Sequence, residues 1–132
     1  MVLAVRATAK KVKQRFEEEK LGLTLEQHYF LMVLSSKDEF IQSDLAELME
    51  KDKSAVMRHI DALEAENFVV RINDKTDRRK KFVVLTRPGM LMLEKANALV
   101  QVVADELRGE IDEKDMEAFR RVLAQVHHNA DK

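Results

Sequence analysis

The chain has 132 residues, of which 45% are hydrophobic and 36% charged, and this size and composition predict one soluble globular domain. It has no cysteine, which excludes disulfides, thiolate zinc sites and cysteine redox chemistry. No apolar run is long enough to cross a bilayer, and the N-terminal residues lack the apolar core of a secretory signal, so we expect a cytoplasmic protein.

The first two elements are predicted to be helices. Residues 2 to about 20 carry one apolar stripe at four- and three-residue spacing, made of Val5, Ala9, Val12 and Phe16. Thr24 and Gln27 then have the spacing of a capping box, which places the start of a second, largely buried helix. The residues predicted to share its apolar face are Leu25, His28, Tyr29, Met32 and Val33, and Leu31 and Leu34 are predicted to widen that face.

Two short helices are predicted next, one around Leu45 and a longer one through Ile60 that ends near Asn67. Only residues 50–52 separate them, and Asp52 can cap the second helix. Two helices with such a short connection form a helix-turn-helix, but helical bundles use connections of the same length. The spacing alone therefore leaves both interpretations open.

Residues 69–72 and 82–85 are the only β-type runs, and they predict a hairpin with a projecting tip. Residues 71–81 contain six cations and two acids, a local charge of +4, although the whole chain has a net charge of −1. Residues 105–117 carry −5. This asymmetry predicts that the hairpin faces a polyanion, whereas the plain alternative for both runs is a solvated surface.

The last third is predicted to be two helices. Thr86 can cap the first, with Pro88 in its first turn, and Gly109 ends it before Asp112 starts the second. The first of these helices is apolar on more than one face through its middle. One subunit has too little remaining surface to cover it, so we expect a two-fold symmetric homodimer. The alternative is a compact bundle that covers these faces internally.

A helix-turn-helix followed by a hairpin is a winged helix, whose second helix can enter a major groove while the hairpin reaches an adjacent minor groove. Arg58 suits guanine, and Lys53 and Ser54 suit phosphate. The recognition-helix candidates are Lys53, Ser54, Ala55, Met57, Arg58 and His59. The wing candidates are Lys75, Asp77, Arg78, Arg79, Lys80 and Lys81.

The stretch SAVMRHIDALEAENFVVRINDKTDRRKKFVVLTRPG resembles the recognition helix and wing of the MarR family of transcriptional regulators. The diagnostic residues are Asp77-Arg78-Arg79, Val83, Leu85-Thr86 and Gly89. The resemblance implies a mainly α fold, a winged helix-turn-helix with a two-stranded wing, in one domain of residues 1–132. Residues 24–86 would be the DNA-binding part, and 1–23 and 87–132 the helical dimerisation part.

The resemblance also implies a homodimer that reads a palindromic operator, most often as a repressor, and that a small aromatic or phenolic effector releases. Arg78 would enter the minor groove, and Arg79 would pair with Asp77. A plausible effector cavity is lined by residues such as Val12, Phe16, His28 and Met32. For His28 the plain alternative is a satisfied core residue.

This sequence departs from the family pattern at four places. Asn67 stands where the family usually has glycine, and Glu50-Lys51 replaces a glycine followed by an apolar residue. Ile41 occupies the position of a hydroxyl N-cap, and Ala55 replaces a frequent threonine. The first substitution suits a left-handed residue, whereas the second bears on the angle between the two helices.

No nucleophile–base motif, glycine-rich phosphate loop or metal-ligand spacing is present, so we predict neither an enzyme nor a cofactor or metal site. Two functions from different classes remain. The first is a ligand-responsive regulator that binds double-stranded DNA. The second is a winged helix without ligand response, used for protein interaction or for non-specific architectural DNA binding.

Overall fold

The computed structural model describes residues 1–49 and 52–132, so the predicted Glu50-Lys51 turn lies outside the described residues. Within them the chain forms six helices and three strands. In order these are α1 (Val2–Glu18), α2 (Leu25–Ser35), β1 (Phe40–Ile41), α3 (Gln42–Leu48), α4 (Lys53–Ala65), β2 (Val69–Asn73), β3 (Lys81–Leu85), α5 (Arg87–Arg108) and α6 (Glu113–Ala130). The mainly α fold with a small β part is confirmed. No described helix has both the length and the apolarity needed to cross a membrane.

The helix starts follow from local side-chain hydrogen bonds. Thr24 Oγ1 accepts from the Gln27 backbone N–H at 3.1 Å, and Gln27 Oε1 accepts from the Thr24 N–H at 2.9 Å, so the predicted capping box of α2 is confirmed. At α5, Thr86 Oγ1 accepts from the Gly89 N–H at 3.1 Å. Asp112 caps α6 in the same way.

Asn67 turns the chain sharply from α4 into the hairpin. Its φ is +64°, the left-handed conformation that asparagine tolerates better than most residues. The next residue, Phe68, donates its N–H to the Leu63 carbonyl at 2.9 Å, which closes the last turn of the helix. The prediction of a left-handed asparagine after the recognition helix is therefore confirmed.

The sheet has three antiparallel strands in the order β1-β3-β2, one more than predicted. In the hairpin, Val70 pairs with Val84 and Ile72 with Phe82. The additional strand, β1, pairs Phe40 with Val83 on the other side of β3. It has two residues, too few to show an alternating pattern, which is why the sequence did not reveal it.

The core lies between α2, α3, α4 and the inner face of the sheet. Its most deeply buried side chains include Phe30, Leu31, Leu45, Ile60 and Leu63. Helices α1 and α5 pack against each other and against α2, which also contacts β3. Helix α5 is thereby held directly beside the winged-helix part.

The predicted buried face of α2 is partly wrong. His28, Leu31 and Leu34 are buried as predicted, and Phe30 is buried as well, whereas Tyr29 and Met32 are 50% and 46% exposed. Apolar residues occupy residues 29–34 without a break, so helical periodicity cannot identify the inward face there.

Candidate nucleic-acid interface

Helix α4 presents a polar face away from the core. Val56, Ile60 and Leu63 are buried at helical spacing. Ser54 and Arg58 lie on the opposite side and are exposed, Lys53 is exposed in the first turn, and Ala55 and Met57 are half-buried. Asp52 occupies the N-cap position as predicted, but its side chain makes no capping hydrogen bond. Five of the six recognition-helix candidates are thus accessible on one helix.

His59, the sixth candidate, is turned towards α2. Its Nε2 lies 2.8 Å from Glu26 Oε2, and its ring packs on Phe30 with 5.0 Å between the centroids. The side chain is 27% exposed. A DNA contact by His59 would have to share or break the contact with Glu26, so this candidate is differently placed from Arg58.

The wing tip, residues 74–80, is ordered by its own aspartates. Asp74 Oδ1 accepts from the Thr76 N–H at 3.1 Å, and Asp77 Oδ1 accepts from the Arg79 N–H at 3.0 Å. The Asp74 N–H donates to the Lys80 carbonyl at 3.0 Å and closes the loop. Such Asx turns fix the tip backbone without using a cationic side chain.

The cationic side chains of the wing therefore remain available. Lys75, Arg78, Arg79 and Lys81 are exposed, and the Lys80 ammonium lies 5.6 Å from the Phe82 ring centroid. The predicted pairing of Asp77 with Arg79 takes a different form, because the aspartate accepts from the Arg79 main chain rather than from its guanidinium. Among the described residues, neither arginine side chain of the tip forms an ion pair, so both can meet a polyanion.

Arg71, on β2, is another charged residue of this surface, and it was not among the predicted DNA-contact residues. Its Nε donates to Gln42 Oε1 at 2.7 Å, its Nη1 to Glu64 Oε1 at 3.0 Å and its Nη2 to Asp61 Oδ1 at 2.6 Å. These partners lie on α3 and α4. They are up to 29 residues away in sequence, and helical spacing gives no signal of such contacts.

The predicted effector residues divide between the core and the surface. His28 Nε2 lies 2.8 Å from Asn97 Oδ1 of α5, and the His28 ring packs edge-on against Phe16. Val12 is buried, whereas Met32 is half exposed. His28 is therefore hydrogen-bonded as a core residue would be, which favours the plain alternative for it.

An open pocket of about 610 Å³ lies next to this cluster, between the end of α1, the start of α2 and α4. Of the four predicted effector residues, only Phe16 lines it. Leu23 adds apolar surface, and the charged groups at its edge include Lys13, Lys20 and His59. The cavity is thus displaced from the predicted one towards the recognition helix.

Comparison with known proteins shows the family of the chain. Residues 21–80, from the end of α1 to the wing, match the family described as the MarR family. TcaR of Staphylococcus aureus, an HTH-type transcriptional regulator, is 30% identical over 123 residues, which cover 92% of this chain and 80% of TcaR. The chain belongs to the MarR family of transcriptional regulators.

Solved structures agree with the MarR fold of the chain. YusO of Bacillus subtilis is 27% identical, with a TM-score of 0.74 over 96% of this chain and 91% of that one. A mutant MarR of Escherichia coli complexed with operator DNA is 22% identical and has a TM-score of 0.73 over 93% and 90% of the two chains. The MarR family consists of transcriptional regulators, which are not enzymes.

Proposed function

We propose that this MarR-family protein is a sequence-specific DNA-binding repressor that acts as a homodimer on a palindromic operator. The observation that carries the proposal is the pair of exposed cationic surfaces, on α4 and on the wing tip, attached to a single body. A helix for the major groove beside a narrow cationic projection is the arrangement that a winged helix uses on DNA. The family membership supports the same function.

Each candidate residue has a role that follows from its chemistry. Arg58 can form a bidentate contact with guanine, which discriminates by about 1–3 kcal/mol. Lys53 and Ser54, in the first turn of α4, suit phosphate contacts. Arg78 would enter the minor groove, where its charge meets an enhanced negative potential. The other cations of the wing, Lys75, Arg79, Lys80 and Lys81, would lie along phosphates.

Homodimerisation is supported by the apolar residues that one subunit leaves uncovered. None of the described residues of α6 is buried, although the helix carries a stripe of large apolar side chains. These side chains are 45–56% exposed, and they are Phe119, Val122, Leu123 and Val126. Leu107 at the end of α5 and the N-terminal residues of α1 extend this surface. A second copy would cover it and would set two recognition helices about 34–36 Å apart, one turn of DNA.

Release by a small aromatic or phenolic acid is supported by the open pocket. Phe16 and Leu23 offer apolar contact, and Lys13 and Lys20 offer cations for a carboxylate. Glu17 and Glu26 of the same lining can accept from a phenolic hydroxyl. The pocket joins α1, which would belong to the dimerisation part, to His59 of α4. A ligand that binds one arrangement of these parts better would shift the dimer away from the spacing that fits DNA.

The DNA-binding proposal is tested by selecting duplexes from a random-sequence library with the purified protein. We expect enrichment of a palindrome whose half-sites are one helical turn apart. Arg78→Ala should weaken binding by about tenfold and reduce the slope of log affinity against log salt by about one. Arg121→Ala, an exposed cation on α6, is the control that should leave both unchanged.

Two outcomes would contradict the proposal. Equal affinity for all duplexes would leave a non-specific architectural DNA-binding protein. Failure to bind any duplex at low salt would leave a protein-interaction module. The effector part is tested separately by adding hydroxybenzoates to the selected complex, and an unchanged dissociation constant at millimolar ligand would contradict release by phenolic acids.

A further inference from the structure

Arg71 joins three elements of the candidate DNA-binding surface. Its guanidinium contacts Gln42 on α3 and both Asp61 and Glu64 on α4, at 2.6–3.0 Å, while its own main chain is in β2. Its backbone N–H also donates to Glu64 Oε2 at 3.3 Å. The side chain is 15% exposed, so it is committed to these partners, unlike the exposed arginines of α4 and the wing tip.

Arg71 lies at the point along the hairpin where its contacts can set the direction of the wing tip. Arg71 pairs with Val83, and in the next row the short strand β1 makes its last pair, Ile41 with Phe82. Beyond that row the hairpin continues without a third strand to the tip. Of the β2 side chains, Val69 is buried and Arg71 lies two residues further out. Arg71 therefore holds the hairpin where it leaves the body.

The partners of Arg71 also affect the charge that DNA would meet. The side chains of Asp61 and Glu64 are 66% and 42% exposed, although both lie on the proposed recognition helix. Unpaired carboxylates there would repel phosphates. A planar guanidinium can contact both at once, whereas a lysine ammonium lacks the fork geometry needed for three separate partners.

We propose that Arg71 is a positioning residue for DNA recognition. This proposal rests on the DNA-binding function proposed above. It does not touch DNA. It fixes the angle between the wing and α4, so that the tip arginine and the recognition helix reach adjacent grooves together. Two other roles are possible for a cation here, a direct phosphate contact or a contribution to folding alone, and they give different results in the following experiment.

The experiment is a double-mutant cycle between Arg71 and Arg78, measured on the duplex selected with the wild-type protein. Arg71→Ala should weaken binding by about tenfold, because a displaced tip no longer reaches the groove. Arg71→Lys should weaken it nearly as much, since lysine keeps the charge but not the three contacts. In either background Arg78→Ala should cost much less than in the wild type, because its contact is already lost.

Glu64→Gln provides a second measurement that leaves Arg71 and the core in place, should Arg71→Ala fail to fold. Removing an acid from a DNA-facing helix would by itself strengthen DNA binding. If Arg71 positions the wing through this carboxylate, binding should instead weaken by several-fold. Glu66→Gln is the matched control, since Glu66 is an exposed acid at the end of α4, and it should weaken binding little or not at all.

Three results would overturn the inference. They are full rescue by Arg71→Lys, the same loss on Arg78→Ala in both backgrounds, or binding by Glu64→Gln as tight as that of the Glu66→Gln control. Each of these requires a wild-type protein that binds the selected duplex. A wild type that binds none contradicts the proposed DNA-binding function instead, so the two failures are distinguishable.

Discussion

Of the three glycines, Gly89 has the closest approach to another segment of the chain. It lies in the first turn of α5, and a Cβ built on it would stand 2.1 Å from the Phe68 carbonyl oxygen. Phe68 follows the left-handed Asn67 at the end of α4. Glycine is therefore required here because the backbones at the end of α4 and the start of α5 leave no room for a Cβ.

We expect Gly89→Ala to lower the free energy of unfolding by more than about 3 kcal/mol, because a backbone atom cannot move aside as a side chain can. Chemical denaturation followed by circular dichroism measures the change. Glu94→Ala, an exposed substitution on the same helix, is the control and should change the unfolding free energy by less than about 0.5 kcal/mol. Similar stability of the two variants would contradict this view of the junction.

Individual residues were predictable from the sequence where their partners are close along the chain. The Thr24 capping box and the left-handed Asn67 need only the neighbouring residues, and both were confirmed. The inward turn of His59 and the contacts of Arg71 depend on α2 and α3, which the sequence does not place. Asp77 was expected to pair with the Arg79 side chain, but it accepts from the Arg79 main chain instead.

At the scale of elements, Thr86 connects the hairpin to both helices beside it. Its hydroxyl donates to the Asn67 carbonyl at 2.6 Å and accepts from the Gly89 N–H at 3.1 Å. Its own N–H donates to the Phe68 carbonyl at 3.0 Å. One side chain thus caps α5 and ties its start to the end of α4.

We expect Thr86→Ala to cost about 1–2 kcal/mol of unfolding free energy, because it removes a helix cap and leaves a carbonyl without its donor. Thermal or urea unfolding checks this value. Thr86→Ser keeps the hydroxyl and should recover most of the loss. A serine variant as unstable as the alanine variant would show that the methyl group, rather than the hydrogen bonds, matters.

The turn between α5 and α6 is fixed by charge. Glu113 accepts from Arg120 at 3.0 Å and also pairs with Arg108, and the hydrogen bond from Arg120 is the largest cause that lowers the pKa of the Glu113 carboxyl. A lowered pKa in the folded state means that the ionised carboxylate stabilises the fold. This contribution is complete above the unfolded pKa and is lost as pH falls through the folded one.

We therefore expect the melting temperature of Glu113→Gln to lie below that of the wild type at neutral pH and to converge with it as the pH falls below the usual pKa of a glutamate carboxyl. Glu117→Gln, on the same helix, should show no such convergence. Because Glu113 is exposed, high salt should also reduce the difference. A difference that is constant with pH would contradict the ionic explanation.

The order of the helices and strands was predictable because the residues between them carry strong local signals, such as caps and turn residues. Two other features of the fold were not predictable. Strand β1 is too short to show a period, and the inward face of α2 is hidden in a continuous apolar run. Both are decided by which surfaces meet in three dimensions.

At the scale of the whole molecule, α6 is the feature that one subunit does not explain. It has 18 residues, and none of them is buried, although an apolar stripe runs along it. A helix with this pattern is stable when the stripe is covered. The sequence predicted surplus apolar area on α5, and the structure adds α6 and the start of α1 to it.

We expect Leu123→Glu to convert the proposed dimer into monomers, because a charge would be buried at the centre of the interface. Sedimentation velocity measures the mass of the species. Gln125→Glu adds the same charge on another face of α6 and should leave the dimer intact. The monomer should also bind the selected duplex far more weakly, since it can occupy only one half-site. A monomeric wild type would contradict the dimer.

The base of the wing is closed independently of its tip. Residues 67 and 68 are bonded to Thr86 through both main-chain and side-chain atoms, so the hairpin begins and ends at the same point. We therefore expect residues 74–80 to tolerate changes in sequence or length without altering the path of the rest of the chain. If the wing contacts DNA as proposed, replacing these seven residues would change its minor-groove preference while the scaffold that carries them stays the same.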